Sequence, residues 1–202
     1  MNKKELLEYL RSQGFSDKVI SAFEAVARED FLGKAWRDLA YENQPWPLAP
    51  GATISQPYTI AFMLDLLELG QEQKILEIGS GSGYVLALVN HIAPQSQIYG
   101  VEIIEDLVEP SARLLSVHKN IQVIKADGSL GWLPEAPYDR ILVSAASQII
   151  PEHLYKQLNP RGVLVCPALN SIFQIKMSVA GPLVKEFPGF VFVDLVGASK
   201  KY

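Results

Sequence analysis

Apolar positions recur along the chain with two different periods, and the change between them divides the sequence. Leu6, Leu7 and Leu10 fall at helical spacing and Gly14 follows, which predicts a helix ending there. Val19, Ile20, Phe23 and Val26 share one side of a second predicted helix, with Ser16 or Asp17 as its N-cap. The stretch ENQPWPLAPGATISQPY comes next, and its proline and glycine content predicts irregular structure. A third helix is expected through Leu67, with Pro57 in its first turn, where a missing N–H is not needed.

From Lys74 the period changes. ILEI, QIYGVE, IQVIKA, RILVSA and GVLVCP are short apolar runs separated by helical or loop segments, the pattern of a parallel sheet covered on both faces. After Pro167 there is no room for another long helix, and IFQIKMSVAG and FVFVDLVG are expected as two further, antiparallel strands. The fold class is therefore α/β: a Rossmann-like, doubly wound, mostly parallel sheet with helices on both faces, a helical N-terminal lead-in and additional C-terminal strands.

Composition narrows the setting. The chain has 202 residues, 49% apolar and 20% charged, ordinary values for a folded globular protein of about one α/β domain. A net charge of -4 argues against a general nucleic-acid binder. No apolar stretch reaches the roughly 18 residues of a membrane span, and MNKKELLEYL lacks the apolar core of a signal peptide. The single cysteine, Cys166, lies in GVLVCPAL and reads as a buried strand thiol, which fits a reducing cytoplasm. The expectation is a cytoplasmic monomer with no membrane and no nucleic-acid partner.

The candidate chemistry sits in KILEIGSGSGYVLALV, where Gly79, Gly81 and Gly83 form a turn between a strand and a helix. A glycine turn alone is weak evidence, since tight turns use glycine for backbone reasons. Two features sharpen it. The last glycine comes one residue too early for a dinucleotide fingerprint, and Glu77 at the strand end would repel a pyrophosphate. S-adenosylmethionine has no phosphate but carries a sulfonium and an ammonium, for which an acid beside bare backbone is favourable. Glu102, one βαβ unit later, suits ribose hydroxyls, and Asp127 with Gly128 suits the adenine amino group. Each acid singly reads equally well as a solvated strand-end residue; at successive strand ends they favour a methyl donor over a nicotinamide.

At this point AREDFL, TISQPYTIAFMLDLLEL, ILEIGSGSGY, ADGSLGWLPEAPYDRILVSAA and IPEHLYKQLNPRGVLVCP together resemble the protein-L-isoaspartate O-methyltransferase family over most of the chain. TISQP and DGSLGW are the specific pieces, because the cofactor fold demands neither. The resemblance implies S-adenosylmethionine-dependent methyl transfer to the free carboxylate of L-isoaspartyl residues in damaged proteins or peptides, a repair reaction. It implies Ser55 as the catalytic, substrate-binding serine and Thr53 and Ile54 as part of the donor-lining segment. The whole turn Gly79, Ser80, Gly81, Gly83 and Tyr84 is assigned to the donor with Glu77, Glu102, Asp127 and Gly128. Ser144 and Ala145, small residues at the same sheet edge, leave room for a peptide backbone. Ser55 also reads as a cap or turn residue ahead of Pro57. His91, His118 and His153 belong to no motif and to no metal site; a carboxylate nucleophile, ionised at neutral pH, needs no general base.

The resemblance thins on the substrate side. Ala49, Pro50, Gly51 and Ala52 stand where the family usually reads Gly-x-Gly-Gln, Ala27 where proline and Asn43 where aspartate are common, and Ala168 and Leu169 where it has Val-Gly. The expected organisation is a single domain over 1–202: a helical lead-in and substrate-side loop (1–57), a cofactor-binding core (58–167) and C-terminal strands (168–202). Two alternatives stand beside repair methylation: a related methyltransferase acting on another carboxylate or small molecule, and a non-catalytic S-adenosylmethionine-binding protein.

Overall fold

In the computed structural model, which describes residues 1–197, the lead-in is two short helices, α1 (Lys3–Ser12) and α2 (Asp17–Ala25). Asn2 and Glu5 cap α1 reciprocally: the Glu5 amide donates to Asn2 Oδ1 at 3.0 Å and the Asn2 amide to Glu5 Oε2 at 2.9 Å. Leu6, Leu7 and Leu10 of α1 and Val19, Ile20 and Phe23 of α2 are buried, as their spacing predicts. Ser16 holds the N-cap position of α2, but its hydroxyl donates to Asp65 instead of receiving a helix amide.

The segment expected to be irregular contains an antiparallel hairpin, β1 (Trp46–Ala49) and β2 (Ala52–Ile54). Its turn is Pro50-Gly51: proline presets φ at the first central position, and Gly51 takes φ +78 at the second. The same residues that argued against regular structure thus make the turn that closes it. Pro57 opens α3 (Pro57–Leu67) as expected.

The sheet follows: β3 (Lys74–Ile78), α4 (Tyr84–Ile92), β4 (Gln97–Glu102), α5 (Glu105–Leu115), β5 (Ile121–Lys125), β6 (Tyr138–Val143), α6 (Glu152–Tyr155), β7 (Leu158–Ala168), β8 (Ser171–Ser178) and β9 (Gly181–Pro188). Its order is β5-β4-β3-β6-β7-β8-β9, the first five parallel and the last two antiparallel. Side chains alternate between two cores. Ile75, Leu142, Val163 and Val165 join the side packed by α1 to α4, while Leu76, Ile78, Ile141, Leu164 and Cys166 face α6, Trp132 and Leu195. Chain order reverses between β3 and β6, and a crevice opens there at the carboxyl ends.

Two features depart from what the local sequence suggests. Helix α5 begins at Glu105, so Pro110 lies inside it; the prolyl ring is exposed, and only the bond to the Asp106 carbonyl is lost. The second appended strand is GPLVKEFP, and FVFVDLVG lies outside the sheet. A two-residue connection pairs Ser178 with Gly181 and leads directly into β9, and the nearer segment takes the edge although FVFV is the more apolar run. Residues 189–197 form neither helix nor ladder strand and make one isolated bridge, between Ala146 and Asp194. Among the described residues no helix is long and apolar enough to cross a membrane.

Candidate active site

Strand β3 delivers Glu77 and Ile78 to the crevice, and the backbone then reverses through Gly79, Gly81 and Gly83, at φ +76, +54 and +84. The amides of Gly79 and Ser80 donate to the Val101 carbonyl at 2.8 and 3.2 Å, which fixes the turn against β4. The glycines differ in purpose. A Cβ on Gly83 would meet Leu115 Cδ1 at 2.7 Å, so Gly83 lets α4 pack on α5 and does not line the crevice. A Cβ on Gly81 would stand 3.3 Å from Leu48 Cδ1 of the hairpin, which closes over the turn from the opposite side.

The Ser80 hydroxyl is buried without a partner, toward Gly100 of β4. Tyr84, the first residue of α4, is buried with its ring edge-on to Phe23 and tilted against Phe31, and it forms the back of the cavity.

Glu102 does more than its position suggests. Its Oε2 accepts the Gly81 amide at 2.7 Å and its Oε1 accepts the Ile104 amide at 2.8 Å. A carboxylate oxygen accepts more than one hydrogen bond, so Glu102 buttresses the glycine turn and keeps capacity toward the crevice.

Glu77 is only 2% exposed. Ser144 Oγ donates to its Oε1 at 2.7 Å, and its Oε2 is buried with no partner. Burial raises the Glu77 pKa to about 8; the Ser144 hydrogen bond opposes that rise and the Glu102 charge adds to it. An orphaned acceptor in a buried acid is costly unless a donor or a cation arrives to meet it.

Two adjoining cavities meet at Thr53, Gly79, Gly81 and Ser144. The narrower lies between the hairpin and the turn and is lined by Ile54, Ser55, Glu77 and Tyr84. The wider, about 280 Å³, runs past Glu102, Gly128 and Ala145. Gly128 is required by close approach, since a Cβ there would meet Ile78 Cγ2 at 2.9 Å. Asp127 is placed differently from expectation: it is exposed, caps the 3-10 turn Gly128–Leu130 through the Ser129 amide at 2.9 Å, and lines neither cavity.

Sequence reasoning missed one wall altogether. Val193, Asp194, Leu195 and Val196 bound the wider cavity, held where the Ala146 amide donates to the Val193 carbonyl at 2.8 Å and the Leu195 amide to the Ala146 carbonyl at 2.7 Å. Their apolar run signalled only a strand. Leu48 was likewise hidden in a segment read as loop. No histidine lines either cavity, and among the described residues no cluster of side chains could hold a metal ion.

The family model described as protein-L-isoaspartate(D-aspartate) O-methyltransferase matches residues 1–198. A protein-L-isoaspartate O-methyltransferase of Methanothrix thermoacetophila is 40% identical, with 98% of this chain and 96% of the relative covered. One from Dictyoglomus thermophilum is 42% identical over 85% of this chain and 79% of its own length. Among solved structures, a Plasmodium falciparum protein described as a protein-L-isoaspartate O-methyltransferase, in complex with S-adenosyl-L-homocysteine, superposes with a TM-score of 0.82. That likeness covers 97% of this chain and 99% of the other, at 24% identity, and speaks to the fold. On the sequence match along nearly its whole length, this chain belongs to the protein-L-isoaspartate(D-aspartate) O-methyltransferase family.

Proposed function

We propose that the chain moves the methyl group of S-adenosylmethionine to the free carboxylate of an L-isoaspartyl residue in a protein or peptide. The observation that carries this reading is the buried Glu77, with Oε2 unpartnered at the foot of the glycine turn, across a narrow cavity from Ser55. The donor, when bound, supplies a methyl carbon made electrophilic by its sulfonium. Glu77, protonated in the ligand-free protein at neutral pH, would give up its proton as the donor's positive charge comes to lie beside it. Glu102 would hold the ribose through its free acceptor capacity, and Gly79, Gly81 and Gly128 let the backbone approach closely. Thr53 and Ile54 bring the hairpin against the same ligand. Ser55 would donate its hydroxyl to one carboxylate oxygen and aim the other at the methyl carbon. The new bond is O–CH3, the bond broken is C–S, and the two opposite charges cancel without any proton moving. A nucleophile already ionised at neutral pH needs no base, which accounts for the histidines being elsewhere. His91 pairs with Ser21 Oγ, His118 with Asn90 and His153 with the Ser129 carbonyl. Catalysis then rests on alignment. Small residues at Ser144 and Ala145 leave space for the substrate backbone.

The experiment is turnover of the purified chain on an isoaspartyl peptide, with the matching aspartyl peptide as control. Methyl ester formed on the first and not the second supports the reading; donor binding with no ester on either would favour a non-catalytic binding protein. On the same reading the chain works as a cytoplasmic monomer on proteins and peptides, with neither nucleic acid nor membrane as partner. Sedimentation at working concentration checks the monomer.

A further inference from the structure

Arg28, the arginine of AREDFL, is 0% exposed. Its Nε donates to the Ala40 carbonyl at 2.8 Å and one terminal nitrogen, Nη2, donates to the Ser55 carbonyl at 2.9 Å. The guanidinium also lies over the Tyr84 ring, 5.1 Å from its centroid. Its other terminal nitrogen, Nη1, is buried with no hydrogen-bond partner. None of the ion pairs among the described residues involves it. Burial lowers its pKa to about 10, opposed by the Tyr84 and Tyr41 hydroxyls beside it, which leaves it charged at neutral pH.

A buried cation without a carboxylate is expensive to keep, and two carbonyls could be held by a neutral donor. Two of the residues it touches, Ser55 and Tyr84, line the narrow cavity. Arg28 therefore stands behind the part of the cavity wall that Ser55 and Tyr84 form. The two orphaned groups have opposite character: an acceptor on Glu77, suited to a cationic donor, and a guanidinium N–H behind Ser55, suited to an anion.

We propose that Arg28 is a positioning residue for methyl transfer, which holds the Ser55 backbone in place and supplies the positive potential that draws the substrate carboxylate to that serine. The proposal rests on the reading of Ser55 as the residue that receives the carboxylate. Arg28 acts in two separable ways. Its fork fixes the Ser55 carbonyl, a geometric effect that needs the planar guanidinium. Its charge favours an anion over a neutral group of the same shape at the serine, an electrostatic effect that needs only a cation in a low-dielectric wall.

Two variants of the full chain separate these effects, each saturated with S-adenosyl-L-homocysteine for binding and with the methyl donor for turnover. The binding probes are an isoaspartyl peptide and the same peptide carrying an isoasparaginyl amide, which is neutral and nearly isosteric. Arg28→Met is expected to cut the preference for carboxylate over amide by about tenfold, leaving amide binding within about twofold of wild type. Arg28→Lys is expected to keep that preference, because the charge remains. Its kcat should nevertheless fall about tenfold, because one ammonium cannot span the Ala40 and Ser55 carbonyls as the fork does. In both variants S-adenosyl-L-homocysteine affinity should match wild type. Equal loss of binding for both peptides in Arg28→Met would reveal a purely structural residue and overturn the proposal. Should Arg28→Met fail to fold, Arg28→Lys decides: unchanged kcat overturns it and the expected fall upholds it. A wild type that methylates no isoaspartyl peptide is a separate outcome, which removes the underlying reading and the proposal with it.

Discussion

The wall of the active-site crevice formed by the glycine turn is made of strand ends tied into the sheet, whereas the facing wall is a short hairpin and an extended tail. On the first wall nearly every backbone group is committed: the Gly79 and Ser80 amides to Val101, the Gly81 amide to Glu102, the Ser144 amide to the Ile78 carbonyl at 2.9 Å. On the second, β1 and β2 pair only with each other, and scattered bonds do the anchoring, among them Arg28 to the Ser55 carbonyl and the pair by which Ala146 holds Val193 and Leu195. The difference matches the two ligands proposed here. A methyl donor is always the same molecule, so its wall benefits from being preorganised. Damaged sites occur in many sequences, and a wall that meets them has to tolerate different neighbours.

The comparison is broken most severely by altering the fixed wall. Gly81→Val would put a branched side chain at φ +54, with its Cβ only 3.3 Å from Leu48 Cδ1 and its methyl groups crowding the hairpin. Donor affinity should fall by roughly a hundredfold or more, since strain and occlusion act together. Calorimetry with S-adenosyl-L-homocysteine checks this, and an affinity within a few-fold of wild type would mean the turn is not the donor wall.

Glu77 gives a pH signature. Its folded pKa is raised from the ordinary 4.5 to about 8, so between those values the folded state holds a proton that the unfolded state has released. The stability this contributes is complete below the unfolded pKa and is lost as pH rises through the folded one. The ligand-free protein should therefore lose a few kcal/mol between about pH 5 and pH 9 from this group alone. Glu77→Gln should flatten that part of the profile while weakening donor binding, because the amide offers no charge. A melting profile with the same slope in both proteins would contradict the buried-acid account.

On the adaptable wall, Ser55→Ala tests catalysis. Loss of one hydrogen bond to a charged oxygen suggests a barrier higher by about 1.5–3 kcal/mol, or roughly ten- to a hundredfold in rate. Donor affinity and melting temperature should hardly move. Gln56 holds the N-cap position of α3 and no side chain caps it, so Ser55 has no helix amide to lose; turnover of the folded fraction left intact would remove it from catalysis.

The two walls were not equally legible in the sequence. The fixed wall is local: a strand, a glycine turn and a helix adjacent in the chain, with Glu77 and Glu102 at strand ends where periodicity puts them. Even there the turn hid a distinction, because Gly83 serves a helix contact with Leu115 that no local pattern announces. The adaptable wall is assembled from distant pieces. Proline and glycine pointed away from the hairpin they close, and FVFVDLVG has the look of a strand, yet only its last residues reach the site, where they bound the wider cavity. Asp127 was assigned to a ligand because of its place after a strand, and one of its carboxylate oxygens accepts a turn amide, a contact that its position after the strand does not announce. Arg28 carries no periodic signal, and its burial follows only from the Ala40 and Ser55 carbonyls converging on it.

The smallest expected effect concerns an anchor of the adaptable wall. Asn43 Oδ1 accepts the Tyr58 amide at 3.0 Å, one of the unpaired donors in the first turn of α3, and so ties the lead-in to the helix that follows Ser55. A carboxylate at this position would keep the hydrogen bond and add a favourable charge at the positive end of the helix. Asn43→Asp should therefore stabilise the protein by about 0.3–1 kcal/mol, a rise of roughly 1–4 °C in melting temperature for a chain of this size. The sign follows from the acid itself. The helix end lowers the folded pKa of the new aspartate, so the gain is present above its unfolded pKa and disappears as pH falls through the folded one. Neither Asn43 nor Tyr58 lines the active-site cavities, and S-adenosyl-L-homocysteine affinity should stay unchanged. A gain in stability with changed donor affinity would show that the two walls are mechanically coupled; a gain with donor affinity constant would show that the adaptable wall can be tightened alone.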